Sequence, residues 1–261
     1  MDMQRNANLA AMGCAAGHSH MPLRGRHSHN DVELNFVVQG RVSYEVSGRT
    51  VSMVAPSILA MWSVFQHSIV NASDDHEVYW AHVPLSDLLS WNLPKPFLQL
   101  LLRGRLITES PSTQPEADRE RFARWARDFS EMLPETREAT HELFLVEAHG
   151  RMRRLAREEA MTVVTQQPDV SDRALDMLRL IVEESHDPTV NVNAIASRVG
   201  LHPKYAMRLF REGFGMTIHE YLTLSRVRTA ERLLATTHRK VTDVILPRSS
   251  TGIAGPVFLR D

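Results

Sequence analysis

The sequence predicts an α+β protein of more than one domain, with a β-rich N-terminal part and an all-α C-terminal part. Residues 31–83 contain short apolar runs rich in Val, Ile, Phe, Tyr and Trp, separated by Gly and Pro, a pattern typical of strands. After Pro84 apolar residues recur every three or four positions, which indicates helices. Near the C-terminus two short helical segments meet at Gly200.

The predicted strands are short and closely spaced. They are VELNFVVQG, RVSYEVSG, TVSMVAP, ILAMWSV, HSIVN and EVYWAHVPL. This spacing favours a small barrel or a double sheet. Two short helices, LSDLLSW and PFLQLLLRGRL, are expected to follow.

One aromatic stripe marks the next helical segment, at residues 113–161. Its members recur at three and four residues and are Phe122, Trp125, Phe129 and Leu133. A second helix, from about Arg137 to Ala160, carries Leu143 and Val146 beside a charged face, and a break or kink is expected near Gly150. The stripe either packs against its own barrel or forms a homodimer contact.

Composition limits the classes of function. The chain has 261 residues, with 30 Lys and Arg against 31 Asp and Glu, so any affinity for nucleic acid must be local. The single Cys, Cys14, excludes an intramolecular disulfide and fits a cytoplasmic protein. No apolar run approaches the roughly 18 residues of a membrane span, so no membrane partner is expected. The first twenty residues make a poor signal peptide and are predicted to be a disordered tail.

The stretch from Val192 to Gly215 has the spacing of a helix-turn-helix. Gly200 suits the turn because it adopts a positive φ without steric cost. Ala196 is small enough for two helices to cross closely, and Pro203 suits the first turn of the second helix. The residues predicted to face outward on that helix are Lys204, Met207, Arg208 and Arg211. Such a basic face suits the major groove of DNA.

Local charge favours this interpretation over a plain helical hairpin. Between Val190 and Lys240 there are nine Lys and Arg residues against three Glu. An excess of positive charge confined to one region is typical of a surface that binds a polyanion.

The sequence after the predicted motif, FGMTIHEYLTLSRVRTAERLLA at residues 214–235, resembles that of AraC-type transcription regulators. The resemblance implies that Lys204, Met207 and Arg208 face the bases. It also implies that Thr217 begins a helix whose backbone amides could hold a phosphate, and that Arg226 lies on a connecting helix. Promoter DNA, a small-molecule effector and a second copy of the chain are the partners it implies.

The family's second helix-turn-helix is incomplete in this sequence. It opens at Val241–Ile245, but Pro247 would end its helix early and the expected Gly-Phe pair is absent. We expect the second motif to be truncated after about residue 246, as a frameshift would produce. Weaker DNA binding than that of a two-motif domain follows.

A polar cluster is predicted in the β-rich domain. His27, His29 and Glu33 follow the pattern H-x-H-x-x-x-E, and His67 follows downstream. These residues resemble the metal-binding motifs of cupin barrels, so the N-terminal domain is expected to be cupin-like. Three imidazoles and a carboxylate suit Fe, Mn, Ni or Zn.

Three interpretations of this cluster stay open. The residues could only satisfy strand ends, could bind an effector without metal, or could hold a divalent metal as a cofactor. A sugar effector would need aromatic faces and planar polar groups. The candidate effector-binding residues are therefore His27, His29, Glu33, Asn35, Trp62, His67 and Trp80.

The sequence thus predicts a cytoplasmic, non-enzymatic regulator that binds DNA and responds to a small molecule, for which a sugar is one candidate. The predicted units are a tail at 1–20, a barrel at 21–112, a helical segment at 113–161, a linker at 162–172 and a DNA-binding domain at 173–261. The alternatives are a metal-dependent cupin enzyme with an appended helical domain and a truncated paralogue with impaired DNA binding.

Overall fold

Eight strands in two antiparallel sheets form the N-terminal part of the molecule. The computed structural model describes residues 14–19, 25–46, 48–162 and 170–236. The strands are β1 (Ala15–Ser19), β2 (Val32–Gln39), β3 (Arg41–Val46), β4 (Arg49–Val54), β5 (Ser57–Trp62), β6 (His67–Ala72), β7 (Glu77–Val83) and β8 (Ile107–Glu109). One sheet has the order β1-β7-β2-β5-β8 and the other the order β4-β3-β6.

The two sheets form separate layers, because within the described residues no strand belongs to both of them. An isolated bridge joins His27, which precedes β2, to His67 at the start of β6. The predicted cupin-like barrel is therefore not a closed cylinder here, whereas the predicted α+β class with antiparallel sheets is confirmed.

Alternation along β2 separates the two faces of the five-stranded sheet. Leu34 and Phe36 point into a large core that continues into the helices, whereas Val37 joins a smaller core shared with Tyr44 of the other sheet. Successive side chains of a strand point to opposite faces, so both faces of the central strand are buried. The polar Glu33 points into the space between the sheets.

Among the described residues, eight α-helices follow the strands or connect them. They are α1 (Leu85–Ser90), α2 (Lys95–Leu102), α3 (Pro115–Ser130), α4 (Arg137–Thr162), α5 (Asp172–Glu184), α6 (Val192–Arg198), α7 (Pro203–Phe214) and α8 (Ile218–Thr236), with a short 3₁₀ helix at Pro134–Thr136. Several begin with a side-chain cap. The Ser171 hydroxyl accepts a hydrogen bond from the amide of Ala174, and Asn191 accepts two from the amides of the first turn of α6.

Three predictions about elements were wrong. Residues 15–19 were expected in a disordered tail, but they form β1 and pair with β7. The helix predicted to extend through RGRL ends at Leu102, and Ile107–Glu109 form an edge strand beside β5. The break expected near Gly150 does not occur, because α4 is one continuous helix that carries this glycine in its interior.

The aromatic stripe of α3 belongs to the core. Phe122, Trp125 and Phe129 are at most 2 % exposed. Trp125 packs against Phe144 of α4, and its indole N–H donates a hydrogen bond to Glu147. Burial within the chain, rather than contact with a second copy, therefore accounts for these three residues.

A buried arginine ties α4 to the rest of the domain. Arg151 is 1 % exposed; its guanidinium donates hydrogen bonds to Asp118 of α3 and Glu109 of β8 at 2.8–3.1 Å. Burial raises the pKa of Glu109, but hydrogen bonds from Thr113 and the charge of Arg151 outweigh this and lower it overall. Arg151 thus bridges both carboxylates, and Asp118 also pairs with Arg121 at 2.6 Å.

The helix-turn-helix forms as its spacing indicates. Gly200 has φ +69° between α6 and α7, and Ala196 is fully buried where the helices cross. Pro203 occupies the first turn of α7, and Gly215, with φ +74°, ends that helix in the left-handed conformation.

The helical C-terminal part packs directly on the five-stranded sheet. Trp62 of β5 makes edge contacts with Phe214 of α7 and Tyr221 of α8, at ring-centre distances of 6.2 and 5.7 Å. The side-chain amide of Gln99 donates a hydrogen bond to the carbonyl of Val170 at 3.0 Å. One continuous apolar core therefore joins the two parts of the chain.

Two predicted features lie largely or wholly outside the described residues: the linker at 162–172 and the truncated second motif after α8. Among the helices that are described, none is both long enough and apolar enough to cross a membrane.

Replacing Arg151 should destabilise the chain strongly. Arg151→Met keeps the length of the side chain but leaves Glu109 buried without its cation and Asp118 with Arg121 alone, so we expect a loss of about 3–5 kcal/mol in the free energy of unfolding, measured by urea titration. Arg179→Ala is the matched control, because Arg179 is half-exposed and lies 3.8 Å from Asp176; it should change stability by less than about 0.5 kcal/mol. A loss below about 1 kcal/mol for Arg151→Met would contradict the role assigned to Arg151.

Candidate effector site and DNA-binding surface

Four of the predicted site residues meet between the two sheets. Donor atoms of His27, His29, Glu33 and His67 all lie within 4.8 Å of one another. Glu33, His29 and His67 are 4 %, 8 % and 3 % exposed, whereas His27 lies at the exposed edge of the cluster. We call these four residues the His-Glu cluster.

Backbone pairing brings the two halves of the cluster together. His27 and His67, 40 residues apart in the sequence, exchange two backbone hydrogen bonds of 3.1 and 2.9 Å. The amide of His29 donates to the carbonyl of Ser63, and the amide of Ser63 donates to the carbonyl of Asp31. The segment before β2 is thereby fixed against the segment that leads into β6.

The Glu33 carboxylate is the centre of the cluster. Its Oε2 atom lies 3.2 Å from Nε2 of both His29 and His67 and accepts a hydrogen bond from the Ser63 hydroxyl. Its Oε1 atom accepts a hydrogen bond from the side-chain amide of Asn35 at 3.1 Å. His82, from the neighbouring strand β7, approaches Oε2 to 3.8 Å.

The outer ring nitrogens of three cluster histidines face oxygen atoms of the protein. Nδ1 of His67 lies 2.9 Å from the carbonyl of Phe65, and Nδ1 of His27 lies 3.4 Å from that of Gly25. A carbonyl only accepts, so Nδ1 must carry the proton in both contacts. Nδ1 of His29 lies 3.3 Å from the Asp31 carboxylate. In both His27 and His67, Nε2 is therefore the nitrogen left for the interior of the cluster.

Burial and mutual charge divide these groups into charged and neutral forms. Burial raises the pKa of Glu33, but the close contacts with His29 and His67 outweigh it and hold the pKa well below its usual range. Burial lowers the pKa of His29, but Asp31 and Glu33 raise it overall to about 9. Burial and the charge of His29 lower the pKa of His82 to about 3. The cluster thus holds an ionised carboxylate, and His82 beside it stays neutral.

The cavity beside the cluster is small. It encloses about 20 Å³ and is lined in part by Asn35, Tyr44, His76 and Trp80. One water molecule needs roughly 10–15 Å³ on the same measure. As it stands, the cavity has room for an ion or one water molecule, and a sugar would require the side chains to move apart.

The two tryptophans predicted as stacking platforms face opposite sides of the sheet. Trp80 lines the cavity and lies 4.8 Å from the ring of His82. Trp62 is wrongly predicted as an effector-binding residue, because the alternation of β5 points it into the apolar core against Phe214 and Tyr221. Asn35 lines the cavity as expected.

A basic face on α7 contains the four residues predicted to read DNA. Lys204, Met207, Arg208 and Arg211 are all exposed. The guanidinium of Arg208 lies 5.0 Å above the ring of Tyr205 and forms an ion pair of 3.0 Å with Glu212. This face is intact and open to solvent.

Two other residues predicted to contact DNA are engaged inside the protein. Arg226 donates hydrogen bonds to the carbonyls of Ser185, Asp187 and Val190, so it ties α8 to the end of α5 and the loop that follows. Thr217 and Glu220 cap the start of α8 reciprocally, and the Glu220 carboxylate accepts the Thr217 amide. A carboxylate thus occupies the place where a phosphate was expected.

Several residues of these sites were missed from the sequence. Tyr205, on the same helix as the basic face, could have been found from its helical position. The Thr217-x-x-Glu220 capping pattern was also readable. His82 is brought beside the cluster by the pairing of β7 with β2, and the hydroxyl of Tyr221 donates to Asn30 at 2.7 Å across 191 residues. These two contacts join distant segments, so no local sequence pattern predicts them.

Comparison with known proteins agrees with this arrangement. The melibiose operon regulatory protein of Escherichia coli K12 is 24 % identical over 229 residues, which cover 84 % of this chain and 74 % of that protein. The protein of the same description from E. coli O6:H1 gives the same figures. The resemblance to AraC-type regulators is confirmed. The crystal structure of fatty-acid-bound ToxT from Vibrio cholerae shares the fold, with a TM-score of 0.54 at 11 % identity over 88 % of this chain and 83 % of ToxT. No family model matches the chain.

Proposed function

We propose that this protein is a sequence-specific DNA-binding transcription regulator whose activity responds to a small effector bound between its two sheets. The observation that carries the proposal is the exposed basic face of α7 in a well-formed helix-turn-helix. The similarity to an operon regulatory protein over most of the chain supports it. Lys204, Met207, Arg208 and Arg211 are the proposed DNA contacts.

The effector can act on DNA binding because its site touches the helix-turn-helix domain. Between His29 and Glu33, the side chain of Asn30 accepts the hydrogen bond from Tyr221 of α8. Burial raises the pKa of the adjacent Asp31, and the charge of Arg228, also on α8, acts against this. An effector shifts the DNA-binding population only if it binds that state more tightly. The short segment from His29 to Asp31 is where such a difference would arise.

A sugar is one candidate for the effector. The melibiose operon regulatory protein gives the reason. The lining residues Asn35, His76 and Trp80 provide polar groups and an aromatic face suited to a sugar ring. The cavity would have to widen, with Trp80 or the segment before β2 moving outward.

A metal-dependent enzyme is the competing function, and the His-Glu cluster is the observation that favours it. Its three imidazoles and one carboxylate include the set of two imidazoles and a carboxylate that holds iron in non-haem oxygenases. The helix-turn-helix and the regulatory relative favour the regulator instead. A truncated paralogue with weak DNA binding would differ only in affinity, so the DNA-binding measurement below addresses it too.

The full chain should bind the DNA upstream of its own gene more tightly than random DNA of the same length, measured by gel shift. Arg208→Ala should weaken binding to the specific site by about 1–3 kcal/mol and relax the preference at one base pair. Arg119→Ala is the control, because it removes an exposed positive charge from α3 instead of α7. Equal losses on specific and random DNA for Arg208→Ala would contradict a base-reading role.

The Tyr221 hydroxyl should couple the two sites. Tyr221→Phe removes only the hydrogen bond to Asn30, so the protein should stay folded with a loss of about 0.5–1.5 kcal/mol. We expect the effect of the bound effector on DNA affinity to shrink, while affinity for the effector itself changes little. Tyr79→Phe is the matched control, because it makes the same chemical change at a half-buried position of β7 that belongs to neither site. An undiminished effector response in Tyr221→Phe would refute the coupling.

We also propose a homodimer that forms through α4. Leu143 and Val146 of α4 are 67 % and 72 % exposed, and Leu133 before it is 59 % exposed. The three aromatic residues of α3 are buried within the chain, so they are not available to a second copy. The exposed apolar residues of α4 and Leu133 are available.

The dimer proposal is tested by sedimentation of the full chain. Val146→Glu places a charge on the proposed contact and should shift the chain towards monomer, whereas Val54→Glu, on β4 where Val54 is 52 % exposed, should not. An unchanged oligomeric state in Val146→Glu would argue against this interface.

A further inference from the structure

We infer that the effector of this regulator is a divalent transition-metal ion, held by the His-Glu cluster of His27, His29, Glu33 and His67. The inference rests on the proposed function, because it names the effector of that same site. Three features favour an ion over a sugar: the small cavity, the set of donor atoms and the hydrogen bonds around them.

The first argument is the unsatisfied nitrogen of His67. This residue is 3 % exposed, and its Nδ1 proton is donated to the carbonyl of Phe65. Its Nε2 atom lies 3.2 Å from Glu33 Oε2, yet among the described residues it has no hydrogen-bond partner of suitable geometry. An unpartnered ring nitrogen and a carboxylate oxygen thus face each other in a buried space. A cation between the two atoms would give both of them a favourable partner.

The second argument is the set of hydrogen bonds outside the cluster. Metal-binding histidines almost always donate their other ring N–H to a carbonyl or a carboxylate, which fixes the ring and its tautomer. Here His27 and His67 face backbone carbonyls, and His29 faces Asp31. The Glu33 carboxylate is in turn oriented by Asn35 and Ser63. The outer contacts of a metal site are thus already present.

The third argument is distance. Zn–N bonds are about 2.0–2.1 Å long, so the donors of a tetrahedral site lie about 3.4 Å apart. The four donor atoms lie within 4.8 Å of one another, so the widest pairs must close by up to about 1.4 Å. His27 can provide this movement because it lies at the exposed edge. Imidazole donors with one carboxylate suit Zn²⁺, Ni²⁺, Co²⁺ or Fe²⁺ better than Mg²⁺ or Ca²⁺.

The ion would act on DNA binding through the chain segment that supplies its ligands. His27, His29 and Glu33 lie on either side of Asn30, the residue that accepts the Tyr221 hydroxyl. Drawing these ligands around one ion fixes the position of Asn30 against α8. Binding of the ion and docking of the helix-turn-helix domain therefore favour each other.

The test begins with the full chain after removal of metal by EDTA and dialysis. Titration with Zn²⁺ by calorimetry and with Co²⁺ by absorption should show one ion per chain. His27→Gln and His67→Gln should each weaken binding tenfold or more, as expected for loss of a ligand. His76→Gln is the matched control, since this buried histidine lines the same cavity but lies outside the cluster.

Folding is checked by the thermal midpoint of each metal-free variant. His27 is exposed, so His27→Gln should fold even if His67→Gln does not. No stoichiometric binding by the wild-type chain, or equal affinity in His27→Gln and wild type, overturns the inference.

Gel shifts on the chain's own upstream DNA, with and without Zn²⁺, separate the inference from the proposed function. A change in DNA affinity of about fivefold or more on metal binding supports the ion as effector. If the chain binds its specific DNA equally well with and without metal, the inference is overturned but the proposed regulatory function is not. If metal binds at the cluster but the chain binds no specific DNA with or without metal, both the inference and the proposed function are overturned. That outcome favours the metal-dependent enzyme. Thermal stabilisation by melibiose, without any by metal, also overturns the inference.

Discussion

The five-stranded sheet, buried on both faces, is the constraint on which the other features depend. Because side chains alternate along a strand, Glu33 and Asn35 of β2 must point towards the three-stranded sheet, whereas Leu34 and Phe36 point towards the helices. The same alternation in β5 sends Trp62 to the face that receives α7 and α8. The two-residue alternation of the strands thus places the polar cluster on one face of the sheet and the apolar docking surface on the opposite face.

Burying an ionised carboxylate between two sheets costs free energy unless other groups compensate for the lost water. In this fold the compensation comes from residues of several elements: Ser63 before β6, His67 at its start, and His29 and Asn35 around β2. The cluster therefore fastens the two sheets together as well as offering ligands. A ligand that displaces protons from the centre of the cluster would alter how both sheets pack. Even a very small ligand would therefore change how the helical domain docks on them.

The sequence predicted the parts of the structure that depend on local pattern. Alternating strands, the turn at Gly200 and the clustering of His27, His29, Glu33 and His67 all follow from spacing within short segments. Strand β1 could not be predicted, because its sequence AAGHS has little β propensity. It forms where β7 offers an edge and Gly17 leaves room for Trp80, whose ring would lie 2.4 Å from an added Cβ. The side of the sheet that Trp62 faces, and the contact of Tyr221 with Asn30, likewise depend on pairing and docking between distant segments.

Local charge in the helical domain overstates the surface available to DNA. Arg226 is committed to three backbone carbonyls, Arg198 pairs with Glu184, and Glu220 neutralises the start of α8. What remains outward on α7 is Lys204, Arg208 and Arg211, and Arg208 must give up Glu212 to reach a base. With three cations outward on α7, the described part of this surface would make few phosphate contacts, and each contact contributes about one unit to the salt dependence of binding. A modest intrinsic affinity would suit a regulated protein, because a small shift in docking free energy from the effector site would then decide whether DNA is bound.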